Sequence, residues 1–544
     1  MANKETSVFT TQPPPPSWVE KEAQEITGLD LLGLRVPVNS IGTTLMDGVT
    51  TISPMIRYIS LRAWITWVYG QHGLPDTNRD FLEFAMRVES AIVLGNLLCD
   101  PQTPKLVGSD EAKKIIAEGN SRFDLRPLVK QPAANAYLGP SLQINVAFTR
   151  KEGIAGLTKE RGRPLALAVD EILKATTLGR KFKKNASLDH ATRAELEELG
   201  KAFAISEPSD KEREALLSAV LPSTPRDESK MNRVQSYGVL LEMTERFGGL
   251  EEYDILDQAI DPNSPMLPEY THCLDGWACY LVRDMLAVVH EAAFEAVLNA
   301  LYEVGGTEQS VHGPSLIHDM ANNDDAIKAA LKALQLLPQG SKPLDAPLAE
   351  LLRLVDARTV PVRNGRIPRW DGLMEPEVID LAWESEAGAL AALPVAWLLA
   401  RARALKGEDN EHLRREFLSS QGWARIGLEE VVLPDLEGML RRKITIRQAI
   451  EELALRTIDQ HTRIAWARLA VDPLRDVSVL MVDGDRWAVR QNKDFRAGRT
   501  AARLAEAIGW LRQLGLTDEQ GITKQGRQRL EQIRRLINTQ GDEQ

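Results

Sequence analysis

The chain has 544 residues, 43% of them hydrophobic, enough to bury substantial cores in about three or four compact units, which excludes an intrinsically disordered protein. Its formal net charge of -11 excludes a general polyanion binder, so any nucleic-acid surface must be a local basic patch. Three cysteines, Cys99, Cys273 and Cys279, are too few for a disulfide scaffold and fit a reducing, cytoplasmic setting.

At the N-terminus, MANKETSVFTTQPPPPSW lacks the apolar core of a signal peptide, and Pro13 to Pro16 favour an extended tail. From residue 50 onward the dominant period is helical. Ser53-Pro54 supplies an N-cap and first helical position for ISPMIRYISLRAWITWVYG, and a second helix is expected over Asp80 to Leu98. Leu142 to Phe148 reads as a strand. Helices follow near 163–177, 189–204, 209–220, 228–247, 276–303, 323–336, 344–357, 375–404 and 445–470. The last opens with the capping-box spacing of Thr445 and Gln448, and Pro394 is expected to kink the 375–404 helix. VSVLMV and RWAVR flank Asp483-Gly484-Asp485 as a hairpin over Val477 to Arg490. The longest apolar run, Gly388 to Ala400, has 13 residues and contains Pro394, so no membrane span is expected.

Breaks at Pro262 to Pro268, Gly340 to Pro347 and Thr359 to Gly372 punctuate the pattern. The expected fold class is mainly α, a multi-domain helical protein with few short strands. Its expected segments are a disordered Pro-rich tail (1–20), an N-terminal helical domain (21–178), a central helical domain (179–345), a second helical domain (346–472) and a C-terminal domain (473–544).

The run from Gly498, GRTAARLAEAIGWLRQLGLTDEQGITKQGRQRLEQIRRL, joins an amphipathic helix to a basic one through a Gly-bounded excursion. Leu504, Ala507, Ile508, Leu511 and Leu514 recur at helical spacing, and Gly515 stands where a C-cap belongs. This order resembles a winged helix-turn-helix. The resemblance implies DNA contact through Arg496, Arg499 and Arg503 at the start of the recognition helix, with Lys524 and Arg527 steadying the wing side on phosphates. From Arg499 to Ile537 eight Lys or Arg face four Asp or Glu, a local excess of positive charge. GLTKERGRPLAL from Gly156 echoes GITKQGRQRLEQ from Gly521 with one residue inserted, so the fold is expected to hold one or two such modules: either a second lies near residue 157, or the match is a coincidence of common helix openers.

The 276–303 helix is apolar around most of its circumference yet carries Arg283, Asp284, His290 and Glu291, which recur seven residues apart on one side. Buried charges need partners or a wet cleft. Such a quartet is either a packing network or a general acid and base with Arg283 holding an anion. His272, Cys273, Cys279 and His290 offer zinc-ligand chemistry without a Cys-x-x-Cys or His-x-x-x-His spacing, so no metal or cofactor is expected. A phosphate-binding Gly-x-x-x-x-Gly-Lys-Ser/Thr loop and a Gly-x-Ser-x-Gly elbow are both missing from the sequence.

TTISPMIRYISLRAWITW, LVRDMLAVVHEAAFEAVL and HTRIAWARL resemble helical accessory proteins encoded beside helicases and nucleases in bacterial anti-phage defence islands of the Druantia or DISARM kind. The resemblance implies partners in a multi-gene system, a helicase or nuclease among them, and carries no catalytic residues. The expectation is a non-catalytic scaffold or nucleic-acid-contacting accessory subunit. Its alternatives are a purely protein-binding helical scaffold and an enzyme centred on Arg283, Asp284, His290 and Glu291.

Overall fold

The computed structural model describes residues 30–51, 55–103, 106–126, 128, 132–222, 228–249, 251–263, 270–306, 309–363, 365–407, 426–471, 478–490 and 495–541. The Pro13–Pro16 tail and the Ser53-Pro54 cap lie outside them. Helices make up 65% of the structure and the strands are few and short, a mainly α protein. The chain forms two compact units, each gathered from separated stretches. The described residues of Met1–Ile41, Leu256–Met266 and Leu274–Thr500 form the first, and those of Gly42–Ile255, Leu267–Cys273 and Ala501–Gln544 the second. This partition differs from the five consecutive segments read from punctuation. In particular, 473–544 divides after Thr500, because residues 496–500 are tied to carboxylates of the first unit.

In the first unit the core helices are Thr271–Gly305, from Leu274 onward, and Glu386–Leu405, both long and apolar enough to cross a bilayer by length and composition. The sequence expectation of no such segment stopped at interrupting residues that these helices simply continue through. Their apolar windows are 78% and 89% buried inside the protein, as core helices are. The expected 375–404 helix is two: Glu375–Glu384 and Glu386–Leu405. The break falls at Ser385, not Pro394. Ser385 is extended (φ -166, ψ 166) and its side chain accepts the Gly388 N–H, so it caps the second helix, which runs on through Pro394. Arg403 forms a buried bidentate pair with Glu375 and lies 3.8 Å over the Trp370 ring.

The expected hairpin is present as Leu480–Asp483 and Arg486–Val489, turning at Gly484 with φ +58. Val311–His312 pairs with the far side of Arg486–Val489, making a three-stranded antiparallel sheet with the latter in the middle.

In the second unit the nearly all-buried helix Arg57–Tyr69 packs beside Asn78–Cys99 and Gly162–Leu173. Arg57 is paired with Glu212 and stacked 3.7 Å over Phe203. Asn78–Cys99 and Arg193–Ala202 meet backbone to backbone at Gly95 and Gly200, where an added Cβ would stand 2.5 Å and 2.1 Å from opposing carbonyl oxygens. The predicted strand Leu142–Phe148 is corrected: Leu138–Gln143 is helical and only Ala147–Phe148 is strand. The apolar alternation of Leu142, Ile144 and Val146 marks a helix end turning into the core, with Asn145 at φ +59 making the turn.

Candidate functional site

The charged quartet of the Thr271–Gly305 helix is buried throughout. Glu291 accepts from Arg35 Nε at 2.6 Å and Nη2 at 2.5 Å, and from the Gly498 N–H at 3.4 Å. Asp284 accepts from Arg499 Nε at 2.9 Å and from the Thr500 N–H at 2.8 Å. Burial pushes both carboxyl groups above the usual carboxylate range while their arginine partners pull the other way. Arg283 donates to the Ile426 carbonyl at 2.9 Å. Each group thus fastens a distant stretch of chain.

His290 sits in a closed chain of hydrogen bonds. Trp397 Nε1, which only donates, reaches His290 Nε2 at 2.9 Å, so the proton resides on Nδ1 and is donated to Thr457 Oγ1 at 2.7 Å. Thr457 in turn donates to the Leu453 carbonyl. Burial, then the charge of Arg456, pulls the imidazole down to about 3. Both ring nitrogens are occupied, which leaves neither for a substrate. Among the described residues no group of three His, Cys, Asp or Glu is placed to hold a metal ion.

The five basic residues expected at a DNA surface fall in different settings. Arg496 pairs with Glu295 while its side chain stays 75% exposed, and Arg499 is only 12% exposed on Asp284. Both belong to the first unit and precede the helix, which begins at Leu504. Arg503, expected on that helix, is its N-cap with φ +63. Lys524 is exposed at the start of the helix Lys524–Gly541, and Arg527, one turn on, contacts Glu245 at 3.4 Å. Arg534 engages Glu242, Glu245 and Glu531.

The sequence echo has a structural counterpart inside the second unit. In the first copy the helix Leu138–Gln143 closes with Asn145 N–H bonding to Leu142 O and Val146 N–H to Ser141 O. In the second, Leu504–Gln513 closes with Gly515 N–H to Arg512 O and Leu516 N–H to Leu511 O, the same two spacings. Asn145 and Gly515 both have positive φ, 59° and 73°. A short hairpin of two-residue strands follows in each: Ala147–Phe148 with Gly156–Leu157, and Thr517–Asp518 with Gly521–Ile522. A threonine then locks the next helix. Thr158 Oγ1 donates to Asn145 O at 2.7 Å and accepts from Gly162 N–H at 3.0 Å; Thr523 Oγ1 donates to Gly515 O at 2.7 Å and accepts from Gly526 N–H at 3.0 Å. The two glycines lie against the carbonyls of Val146 and Leu516, where a Cβ would stand 2.1 Å and 2.0 Å away.

The copies differ in charge. From Arg150 to Lys184 ten Lys or Arg face four Asp or Glu, an excess larger than that of the tail. Lys151, Lys159, Arg163, Lys174 and Lys184 are exposed and make no ion pair among the described residues. No family model matches this chain, no curated protein matches it, and no solved structure matches it.

Proposed function

We propose that this chain is a non-catalytic helical subunit that contacts nucleic acid and serves a partner carrying the chemistry, in keeping with its resemblance to defence-island accessory proteins. The observation that supports nucleic-acid contact is the duplicated unit of helix, hairpin and threonine-locked helix, each with cations at the start of the second helix: Lys159, Arg161 and Arg163 in one, Lys524 and Arg527 in the other. Cations on a hairpin and the adjoining helix start suit phosphate contacts. The engagement of Arg283, Asp284, His290 and Glu291 with internal partners favours a packing role for that quartet over an enzymatic one. Titration of labelled duplex DNA with the nuclease-treated protein at about 50 and about 200 mM salt tests the reading. Affinity falling steeply with salt is expected; no binding at the lower salt discards it.

A second reading, a purely protein-binding scaffold, is favoured by the ion pairing of Arg496, Arg499 and Arg527, which occupies cations expected on phosphates. It predicts co-purification with a neighbouring gene product that survives nuclease treatment.

A further inference from the structure

We infer that the first copy of the repeated unit, residues 138–173, is the one that grips the phosphate backbone of duplex nucleic acid, and that the C-terminal copy is a packing element. The inference rests on the nucleic-acid reading above and assigns the contact within it.

The two copies share one backbone plan, so their difference lies in what surrounds their cations. In the C-terminal copy the helix Lys524–Gly541 packs on Glu228–Phe247, with Ile533 against Gly238. That neighbour supplies carboxylates: Glu245 to Arg527, and Glu242 and Glu245 to Arg534. A phosphate would have to displace these partners from Arg527 and Arg534, which leaves Lys524 as an exposed cation of this copy without an ion pair among the described residues. Arg529, half-buried, has its pKa pulled down by desolvation, which suits packing better than solvent-side binding.

The first copy is arranged the other way. Its hairpin is joined by seven residues, 149–155, where the C-terminal hairpin has only 519–520, and the longer loop exposes Arg150 and Lys151. Asp76 anchors this loop by accepting from the Ile154 N–H and from Arg150, so Arg150 is partly neutralised and Lys151 is not. Thr158 joins the hairpin to the helix that carries Lys159 and Arg163 at its entrance, both exposed and without an ion pair among the described residues. Glu152, Glu160 and Glu171 are the exposed acids of this copy, and Glu171 is paired with Lys211. Positive charge continues past the helix through Lys174, which lies near Glu171, and Lys184. Cations that no internal carboxylate holds are the ones able to release counterions when phosphates replace solvent. An acidic chain that clusters several such cations on one hairpin and helix entrance fits a polyanionic partner.

The test uses the full chain and a labelled duplex of arbitrary sequence at several salt concentrations. The first-copy variant is K151E/K159E/R163E, with K151Q/K159Q/R163Q beside it in case charge reversal disturbs folding; the second-copy variant is K524E/R527E. All are checked by circular dichroism. The first-copy variants should lose at least about tenfold in affinity, with the log–log salt slope shallower by roughly 2.7, three contacts at about 0.9 each. The second-copy variant should stay within about threefold of the parent. Loss confined to the second-copy variant, or equal loss in both, overturns the assignment while leaving the nucleic-acid reading intact. A parent protein that ignores the duplex at low salt overturns both. If that protein instead binds phosphatidylserine vesicles through Lys151, Lys159 and Arg163, the surface belongs to a membrane and the inference is wrong.

Discussion

The indole N–H of Trp397 donates to Nε2 of His290 at 2.9 Å, with both side chains fully buried, and so assigns the histidine its tautomer and its neutral state. His461 in the same unit is also buried, bonded through Nδ1 to the Leu31 carbonyl, with its pKa pulled down to about 4, first by burial. Both folded values lie below the ordinary 6.5, so the unfolded chain binds more protons as pH falls. Their contribution to stability is complete above about pH 6.5 and is lost on acidification towards the folded values. The first unit should lose stability with a slope of up to about 3 kcal/mol per pH unit between about pH 4.5 and 6 from these two groups. His290→Gln should remove about half of that slope. Hydrogen exchange of peptides from 274–500 across this pH range checks it, and a flat profile refutes it.

Glu89 predicts the opposite response in the second unit. Its carboxylate is fully buried, accepts the N–H groups of Ala133 and Ala134 at 2.7 Å each, and is pushed up to about 7 by desolvation. A folded pKa above the unfolded value near 4.5 favours the protonated form, so stability is greatest at acid pH and declines as pH rises from about 4.5 to 7, by about 3 kcal/mol in all. Peptides from 42–255 should therefore exchange more readily at pH 8 than at pH 5 after correction for intrinsic rates. E89Q should flatten this dependence.

Arg499 was a candidate DNA contact, and its place on buried Asp284 makes a different outcome measurable. Arg499→Ala leaves a carboxylate in the core without its partner and should cost about 3–5 kcal/mol, less whatever protonation of Asp284 recovers. Lys524→Glu, on an exposed side chain, should change stability by no more than about 0.5 kcal/mol. Denaturant midpoints of the two variants compare them directly; equal, small effects would remove the buried pairing from consideration.

The repeated lock predicts matched glycine sensitivity. Gly162→Ala and Gly526→Ala each place a Cβ about 2 Å from a backbone carbonyl oxygen that cannot rotate away, and each should destabilise by about 1–3 kcal/mol. Gly139, helical and with nothing within 4 Å of its added Cβ, serves as the control: Gly139→Ala should be neutral or stabilising by up to about 1 kcal/mol. Thermal melts that rank Gly139→Ala with the other two would undo the account.

Local signals in the sequence carried far. Apolar periodicity located the helices over 209–220, 228–247 and 445–470 closely, because burying one stripe demands that spacing whatever the partner. Asp483-Gly484-Asp485 marked a real hairpin, since a two-residue turn needs a residue that tolerates positive φ. The near-identity of GLTKERG and GITKQG announced the repeated threonine lock, where both glycines are required by close carbonyls. Misreadings occurred where one local pattern serves two conformations. Leu142, Ile144 and Val146 alternate like a strand but close a helix, and Ser385 ends a helix that periodicity alone runs together with the next.

Chain order and side-chain chemistry by themselves established a mainly helical protein, its principal helices and the hairpin at Gly484, because each depends on contacts within a few residues; the echo of two distant segments was visible there as a similarity of residues, and the folded hydrogen bonds gave it a shared plan. Tertiary structure alone decided which charges are spent. Glu291 finds Arg35 across 256 positions and Asp284 finds Arg499 across 215, whereas Lys151, Lys159 and Arg163 find no carboxylate among the described residues. An arginine reads the same in sequence whether solvent or a buried acid faces it, and the large difference in desolvation between those settings is created only when distant stretches of chain fold together.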